Sequence, residues 1–441
     1  MKVAGVRFLV IGASKTGAST ARFLHSREGR VRLVDRCADT ISHAKLPEKI
    51  ETVVGDQDTD LLNRIETVVP SPGVPREHPL LRRAVALHIP VLSEIELASR
   101  FLSCPMLAVT GTNGKSTTTT LLGSMLQTDG VQTFVGGNLG TPLIDAVDGG
   151  FAAAVVEVSS FQLEWVDGFR PRVAVLLNLT PDHLDRYANV EEYGAAKTRI
   201  FAAQQPEDTA VLNRDDPWVW AQRRAIRANA ISFGLDRVEF GTYTENDSLI
   251  CWGPKPLPLK LSLAGVRLQG AHNRENIMAA ATAAAVWGVS EAAIQRALND
   301  ATGLPHRLEL VREHQGVRFY DDSKGTNVGA VEKSVASFDR GVILLAGGYD
   351  KGGDFHTLER LLAGRVKHLV LFGASAAKIE SQLGSGIPHT RVRDLAAAVG
   401  AAAALAISGD TVLLSPGCAS FDEFTDYTAR GRKFRQLVEA L

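Results

Sequence analysis

The stretch that decides the fold is Met106-Leu107-Ala108-Val109-Thr110-Gly111-Thr112-Asn113-Gly114-Lys115-Ser116-Thr117. A short apolar run, read as a strand, passes directly into a glycine-rich turn that opens a helix. In such a turn the backbone N–H groups cradle phosphates, a lysine brings a mobile positive charge and a hydroxyl holds Mg2+. Gly114-Lys115-Ser116 supplies all three. The spacing is tighter than in the common phosphate loop, because position 109 is Val and the first glycine is Gly111. The competing reading is a helix N-cap with an incidental lysine.

Working outward, strands and helices alternate along the whole chain, which predicts parallel α/β sheets. Upstream, 6–11 reads as a strand, followed by Gly12-Ala13-Ser14-Lys15-Thr16-Gly17 and a helix through Phe23. A second strand, 31–35, ends in Asp35, and a third, 67–69, meets the tight loop Pro70-Ser71-Pro72-Gly73-Val74-Pro75. Downstream of the phosphate loop, strands are expected at 152–158 and 173–177, and a helix over 190–204. The turn-rich stretch 238–268, with Pro254, Pro256 and Pro258, reads as an antiparallel excursion before an Ala-rich helix at 276–287. A third unit opens near Gly303-Leu304-Pro305, with strands at 317–320, 342–346, 366–372 and 411–414 and an Ala-rich helix from Leu395. Three consecutive α/β domains are therefore expected, spanning 1–95, 96–303 and 304–441.

The 441 residues carry 48 Lys+Arg against 49 Asp+Glu, a formal net charge of -1, which argues against a basic nucleic-acid binder and an acidic disordered chain. Apolar residues make up 45%, enough for each domain to bury a core. The cysteines, Cys37, Cys104, Cys251 and Cys418, form no CxxC pair and read as free thiols in a reducing cytoplasm. No apolar run reaches the ~18 residues of a membrane span, and the first ten residues read as a core strand rather than a leader. With no coiled coil or apolar interface stripe in view, a monomer is the default.

The first loop, Gly12-x-Ser14-x-x-Gly17 with Asp35 about twenty residues on, resembles a dinucleotide fingerprint, but Ser14 replaces the glycine that lets backbone approach a pyrophosphate. A nucleotide diphosphate, NAD and a plain turn all remain open there. Glu157 closes a strand near the phosphate loop, and Asp182-His183 follow the next strand. Hard oxygens with an imidazole suit Mg2+ or Mn2+. Lys197 has Tyr193, Ile200 and Phe201 at helical spacing, which puts it on an apolar stripe. It is either a snorkelling lysine or a desolvated amine able to add CO2 and become a metal-binding carbamate. In the third unit Asp322-Ser323-Lys324-Gly325-Thr326-Asn327 and the Gly-rich loop around Lys351 follow strands, and with Arg307 they suit an anionic substrate group.

Taken together, these motifs resemble the Mur ligases, ATP-dependent amide-forming enzymes of peptidoglycan precursor synthesis. Gly111 to Thr117, Glu157-Val158-Ser159-Ser160-Phe161-Gln162-Leu163, Thr180-Pro181-Asp182-His183-Leu184-Asp185-Arg186, His272-Asn273-x-x-Asn276, Leu304-Pro305-His306-Arg307 and Asp322 to Asn327 match family blocks in order along the whole chain. The resemblance is nearest to the member that adds D-glutamate to UDP-N-acetylmuramoyl-L-alanine. It implies a Rossmann-like UDP-binding domain, a central P-loop-like ATPase and a C-terminal Rossmann-like domain. It gives Gly111, Thr112, Asn113, Gly114, Lys115, Ser116 and Thr117 to ATP, together with Asn276, Arg307 and Asp322. Ser116 and Glu157 would hold one Mg2+, and His183 with a carbamylated Lys197 a second. Lys115, His183 and Lys197 would be the catalytic residues. Ser14, Lys15, Thr16, Asp35, Arg36, Gly73 and Asn138 would bind the UDP substrate. His183, Lys324, Thr326, Lys351, Ser420, Phe421 and Tyr427 would receive D-glutamate, although the family pattern has an aliphatic at 421 and phenylalanine at 427.

Rival readings explain less. The L-alanine-adding relatives would show Gly-x-Gly-Gly-x-Gly in the first loop, the diamino-acid-adding ones Asp-Asn-Pro-Arg in the third unit, and neither motif is present. A folylpolyglutamate synthase would begin with the ATP unit. A nicotinamide-dependent dehydrogenase leaves Gly111 to Thr117 unexplained, and a regulatory ATP-binding protein leaves the metal-ligand candidates and Lys197 unexplained.

Overall fold

The computed structural model describes the chain except residues 56–57, 253–258, 269 and 384–385. Pro254, Pro256 and Pro258 fall outside the described residues. Three sheets form. The first has the order β3-β2-β1-β4, from β1 (Arg7–Ile11), β2 (Arg30–Asp35), β3 (Glu51–Val54) and β4 (Thr67–Pro70), all parallel. The second has nine strands in the order β13-β12-β11-β10-β9-β8-β5-β7-β6. They are β5 (Met106–Thr110), β6 (Thr133–Gly137), β7 (Ala153–Glu157), β8 (Val173–Leu176), β9 (Thr209–Asn213), β10 (Asn229–Phe233), β11 (Gly241–Glu245), β12 (Ser248–Trp252) and β13 (Leu259–Ser262). Only β11-β12 and β12-β13 pair antiparallel, at the sheet's edge, which is the expected antiparallel excursion. The third sheet, β14-β15-β19-β16-β17-β18, comprises β14 (Glu309–His314), β15 (Val317–Asp321), β16 (Val342–Gly347), β17 (Val366–Phe372), β18 (His389–Arg391) and β19 (Thr411–Gly417). Its one antiparallel pair is β14-β15.

The chain packs into two compact units. The first comprises 1–178, 194–265 and 275–300 and contains both the four- and nine-stranded sheets; the second comprises 179–193, 266–274 and 301–441. Central strands such as β5 and β7 are buried at every position, as expected for parallel strands covered on both faces. One continuous core runs from Phe8, Val10 and Leu33 of the first sheet to Ala108, Val156 and Leu176 of the second. In both sheets of this unit the order reverses beside a glycine loop: between β1 and β4, and at β5, which has β7 on one side and β8 on the other. Ligands of open α/β sheets bind at such reversals, beyond the strands' carboxyl ends.

The helix Glu94–Ser99 joins the two sheets and carries two buried acids. Glu96 accepts from the backbone N–H groups of Asp167 and Gly168, both at 3.0 Å, and pairs with Arg100 at 2.7 Å. Glu94 accepts from the Ile144 N–H at 2.6 Å, and no hydrogen bond reaches its second oxygen among the described residues. Burial, reinforced by Asp145, pushes its carboxyl up from 4.5 to about 7. The folded-state value lies above the unfolded one, so ionising Glu94 costs stability; the cost is absent below pH 4.5 and complete above about pH 7. At 1.36 kcal/mol per unit the ceiling is about 3 kcal/mol. Glu94→Gln keeps the acceptor for Ile144, so it is expected to raise the melting temperature at pH 8 and to have little effect at pH 4. Equal melting curves at pH 8 would show that the site tolerates the charge.

Some elements differ from expectation. The helix expected over 190–204 is α-helical only over Val190–Thr198 and tightens to a 3-10 turn at Arg199–Phe201. The Ala-rich helix starts earlier than expected, at Ala271 rather than 276. The helix expected from Leu395 is present as Leu395–Leu405. All four cysteines are free, and no described helix is long and apolar enough to cross a membrane.

Candidate active site

In the first unit, the phosphate loop joins β5 to the helix Lys115–Thr128, as the sequence predicts. Gly114 caps that helix in the left-handed region, at φ 87°, and a Cβ there would lie 2.1 Å from Oδ1 of Asn276. Only glycine fits the backbone and the space. The same contact shows that Asn276, remote in sequence, lies against the loop, where its Oδ1 also accepts from Thr118 at 3.4 Å. Asn178 ties the loop from the other side: its Oδ1 accepts from Asn113 N–H at 2.8 Å and its backbone oxygen from Thr112 N–H at 3.0 Å.

Two lysines converge on this loop. Lys115 Nζ donates to the carbonyls of Gly111 at 3.0 Å and Thr112 at 2.8 Å. Lys197 Nζ, in a side chain only 1% exposed, donates to the same Gly111 oxygen at 2.9 Å. Lys197 is thus fully inside, not snorkelling. Beside the loop, β7 ends in Glu157, which is in register with Val109 of β5 and 3% exposed. Its Oε1 accepts from Asn138 Nδ2 at 2.7 Å. The buried Glu157 carboxylate and the Ser116 hydroxyl are hard oxygens, the donor chemistry that suits Mg2+.

The second glycine loop of this unit lies at the carboxyl end of β1. Gly12 has φ 94°, and a Cβ on Gly17 would fall 1.8 Å from the Gly12 oxygen. Both oxygens of Asp35 are engaged by backbone N–H groups, Ala13 at 2.7 Å and Cys37 at 2.9 Å. Ser71, from the loop after β4, donates to the Gly12 oxygen at 3.2 Å. This leaves Ser14, Arg36 and Gly73 exposed around the crevice, while Lys15 reaches the Gly140 oxygen at 2.8 Å.

In the second unit, the loops after β15, β16 and β19 meet on adjacent strands. Thr326, Asn327 and Lys351 line a small cleft with Asp182. Lys351 Nζ lies 2.6 Å from Asp182 Oδ1, and Asn327 donates to Oδ2 at 2.9 Å. Burial alone would raise the Asp182 carboxyl, but Lys351, His183 and these hydrogen bonds outweigh it and bring it down to about 2. His183 adopts φ 57°, with its ring edge-on to Tyr193 at 5.9 Å. Lys324 Nζ sits 3.9 Å over the Tyr427 ring. Ser420 is buried, whereas Phe421 is 69% exposed and stands apart from the cleft.

Arg307 is presented by a buried framework. His306 Nδ1 meets Asp321 Oδ2 at 2.6 Å, and Asp322 accepts from Ser334 at 2.6 Å, Ser415 at 2.7 Å and Leu308 N–H at 3.3 Å. Burial nonetheless lifts the Asp322 carboxyl to about 6. One residue the sequence reading passed over is Arg430. Fully buried, it donates to Ser323 Oγ and O at 2.9 and 2.8 Å and to the oxygens of Cys418 and Ala419 at 3.1 and 3.3 Å. It thereby pins the two loops that carry Lys324 and Ser420. Its spacing with Phe434 and Val438 on an apolar helix face was the available signal, the same one that marked Lys197.

Three family models cover most of the chain: the Mur ligase MurD-like N-terminal domain at 6–93, the Mur ligase middle domain at 109–284 and the Mur ligase glutamate ligase domain at 306–418. A curated UDP-N-acetylmuramoylalanine–D-glutamate ligase of Syntrophus aciditrophicus is 47% identical over 448 residues, covering 100% of this chain and 99% of its own. The chain belongs to the Mur ligase family. A second relative of the same name, from Geobacter metallireducens, is 44% identical over 447 residues, again covering 100% and 99%. Among solved structures, the Mur ligases MurC of Thermotoga maritima (TM-score 0.62, 19% identity, 98% of this chain and 99% of that one) and MurF of the same organism in complex with ADP (TM-score 0.59, 18% identity, 100% and 99%) share the fold. Mur ligases use ATP and Mg2+.

Proposed function

We propose that this Mur ligase joins D-glutamate to the L-alanyl carboxylate of UDP-N-acetylmuramoyl-L-alanine, with cleavage of ATP to ADP and phosphate, in peptidoglycan precursor synthesis. The observation that carries this reading is end-to-end similarity, 47% over 448 residues, to a ligase of that name. The chemistry agrees. A carboxylate is a poor acyl donor because its leaving group would be oxide. Transfer of the γ-phosphoryl of ATP to a carboxylate oxygen gives an acyl phosphate. The D-glutamate amine, as its free base, then attacks the acyl carbon through a tetrahedral intermediate, and phosphate departs. Catalysis of such a transfer is largely positioning and charge neutralisation.

The residues divide accordingly. The loop Gly111 to Thr117 and the Lys115 ammonium hold the ATP phosphates, and Asn276, Arg307 and Asp322 serve the rest of the nucleotide. Ser14, Lys15, Thr16, Asp35, Arg36, Gly73 and Asn138 hold the UDP substrate. Lys324, Thr326, Lys351, Ser420 and Tyr427 receive D-glutamate; Phe421, exposed, does so least directly. Ser116 and Glu157 hold one Mg2+, and His183 with a carbamylated Lys197 a second; Mn2+ can substitute. Bound there, the metal neutralises charge on the phosphates. Four free thiols support a reducing cytoplasm as the setting, and the reading takes the chain as a monomer acting on small molecules, with no nucleic-acid or membrane partner. ADP release is expected to require both UDP-N-acetylmuramoyl-L-alanine and D-glutamate. Turnover that depends on neither, or that proceeds with another amino acid in place of D-glutamate, would overturn the assignment.

A further inference from the structure

The four-stranded sheet carries a second charged feature at the edge opposite its glycine loop. β1 and β2 begin with Arg7 and Arg30, which are register partners on neighbouring parallel strands. Side chains alternate between faces along a strand, so Arg7, Leu9 and Ile11 share a face with Arg30, Arg32 and Val34. Toward the carboxyl ends this face is aliphatic, with Leu9, Ile11 and Val34 packed in one cluster with Leu80, Leu81 and Ala84. Toward the strand starts it turns cationic. Lys49 and Arg64 join from the segments that lead into β3 and β4, and the whole lines a cavity of about 600 Å3.

Five Lys and Arg side chains face two carboxylates in this cavity, Glu28 and Glu51. Arg32 is committed, with Nε 2.9 Å from Glu51 Oε1 and NH1 2.8 Å from the Leu61 oxygen. Among the described residues no hydrogen bond or ion pair engages the side chains of Arg7, Arg30, Lys49 or Arg64. Like charges directly opposite on adjacent strands repel, the strands being only about 4.8 Å apart. A polyanion bridging them removes that repulsion, and guanidinium forks match phosphate oxygens in pairs. No Phe, Tyr or Trp lines the cavity, so nothing is offered for a nucleobase to stack on. The crevice at the glycine loop lies a strand's length away, about 16 Å for the five residues of β1.

We propose that this cavity is a binding site for a compact polyphosphate anion, separate from the nucleotide and UDP-substrate sites. The test is calorimetric titration of the full-length protein with inorganic tripolyphosphate, beside two variants. Arg30→Ala/Arg64→Ala replaces two exposed side chains outside the proposed catalytic machinery. It is expected to weaken binding at least tenfold, with ligase turnover within twofold of the parent and an unchanged melting temperature. Lys115→Ala is expected to retain the high-affinity binding, which separates this cavity from the phosphate loop. Binding should weaken with added KCl. Titrations that do not saturate, that are indifferent to the double substitution, or that lose the site in Lys115→Ala would overturn the proposal, whether or not the ligase reading stands.

Discussion

Lys115→Ala is expected to slow ADP formation by at least roughly 10²–10³-fold, the scale of losing one preorganised charge at a transition state. The fold should survive. Lys115 is half-buried, and its ammonium donates to two carbonyls of its own loop, at 3.0 and 2.8 Å. Neither Gly111 nor Thr112 depends on that ammonium for position. Thr112 N–H is held by the Asn178 carbonyl, and Gly111 O retains the amine of Lys197 at 2.9 Å. The substitution therefore removes a charge from the loop while these contacts still hold its backbone. Lys115→Arg is a sharper companion, because a planar fork cannot replace a compact ammonium that follows a phosphoryl group in transit. It too should lose most activity, although the net charge is unchanged. The checks are ADP release with both substrates present and thermal melts of the variants. Near-normal turnover in Lys115→Ala, with melting unaltered, would remove the phosphate-loop assignment altogether.

How much of this was legible in the sequence depended on the range of the interactions. The strand, turn and helix spanning 106–128 formed as read, because apolar run, glycine turn and helix start are local signals. Helical spacing placed Lys197 on an apolar stripe but left a snorkelling lysine and a desolvated amine both open; only the fold puts the whole side chain inside. Arg430 obeys the same rule and was passed over. The pairing of Asp182 with Lys351 was not legible: 169 residues separate them, and only the fold brings them together. The helix Glu94–Ser99 is hidden for a different reason. Its buried positions include two glutamates, so hydropathy describes it as surface. Apart from Arg100, one turn on from Glu96, their partners are backbone N–H groups remote in sequence, which no pattern in the chain reveals. Phe421 shows the converse: a large aromatic reads as a pocket or core residue, yet the backbone after Ser420 turns it to solvent.

Lys197→Ala is expected to cost at least about a hundredfold in turnover, more than the 10–100-fold typical of losing a group that merely supports a metal ligand. The reason lies in the buried position of its amine beside the phosphate loop. Lys115 and Lys197 both direct Nζ at the single Gly111 oxygen, and Lys197 does so from a side chain only 1% exposed. A carbamate forms only from the neutral amine. Loss of the ammonium proton leaves a nucleophilic amine. Attack on CO2 then forms a C–N bond and expels one further proton, giving a carbamate. Such a carbamate would keep an N–H able to donate to the Gly111 oxygen, and its single negative charge, shared by two oxygens, would suit a metal ligand. Protein equilibrated with 13C-bicarbonate should therefore show one carbamate resonance that Lys197→Ala lacks. Turnover of enzyme stripped of CO2 should fall and recover when bicarbonate is restored. If the label fails to appear on Lys197 in enzyme saturated with substrates at neutral pH, the lysine acts as an amine, and the second metal needs another anion.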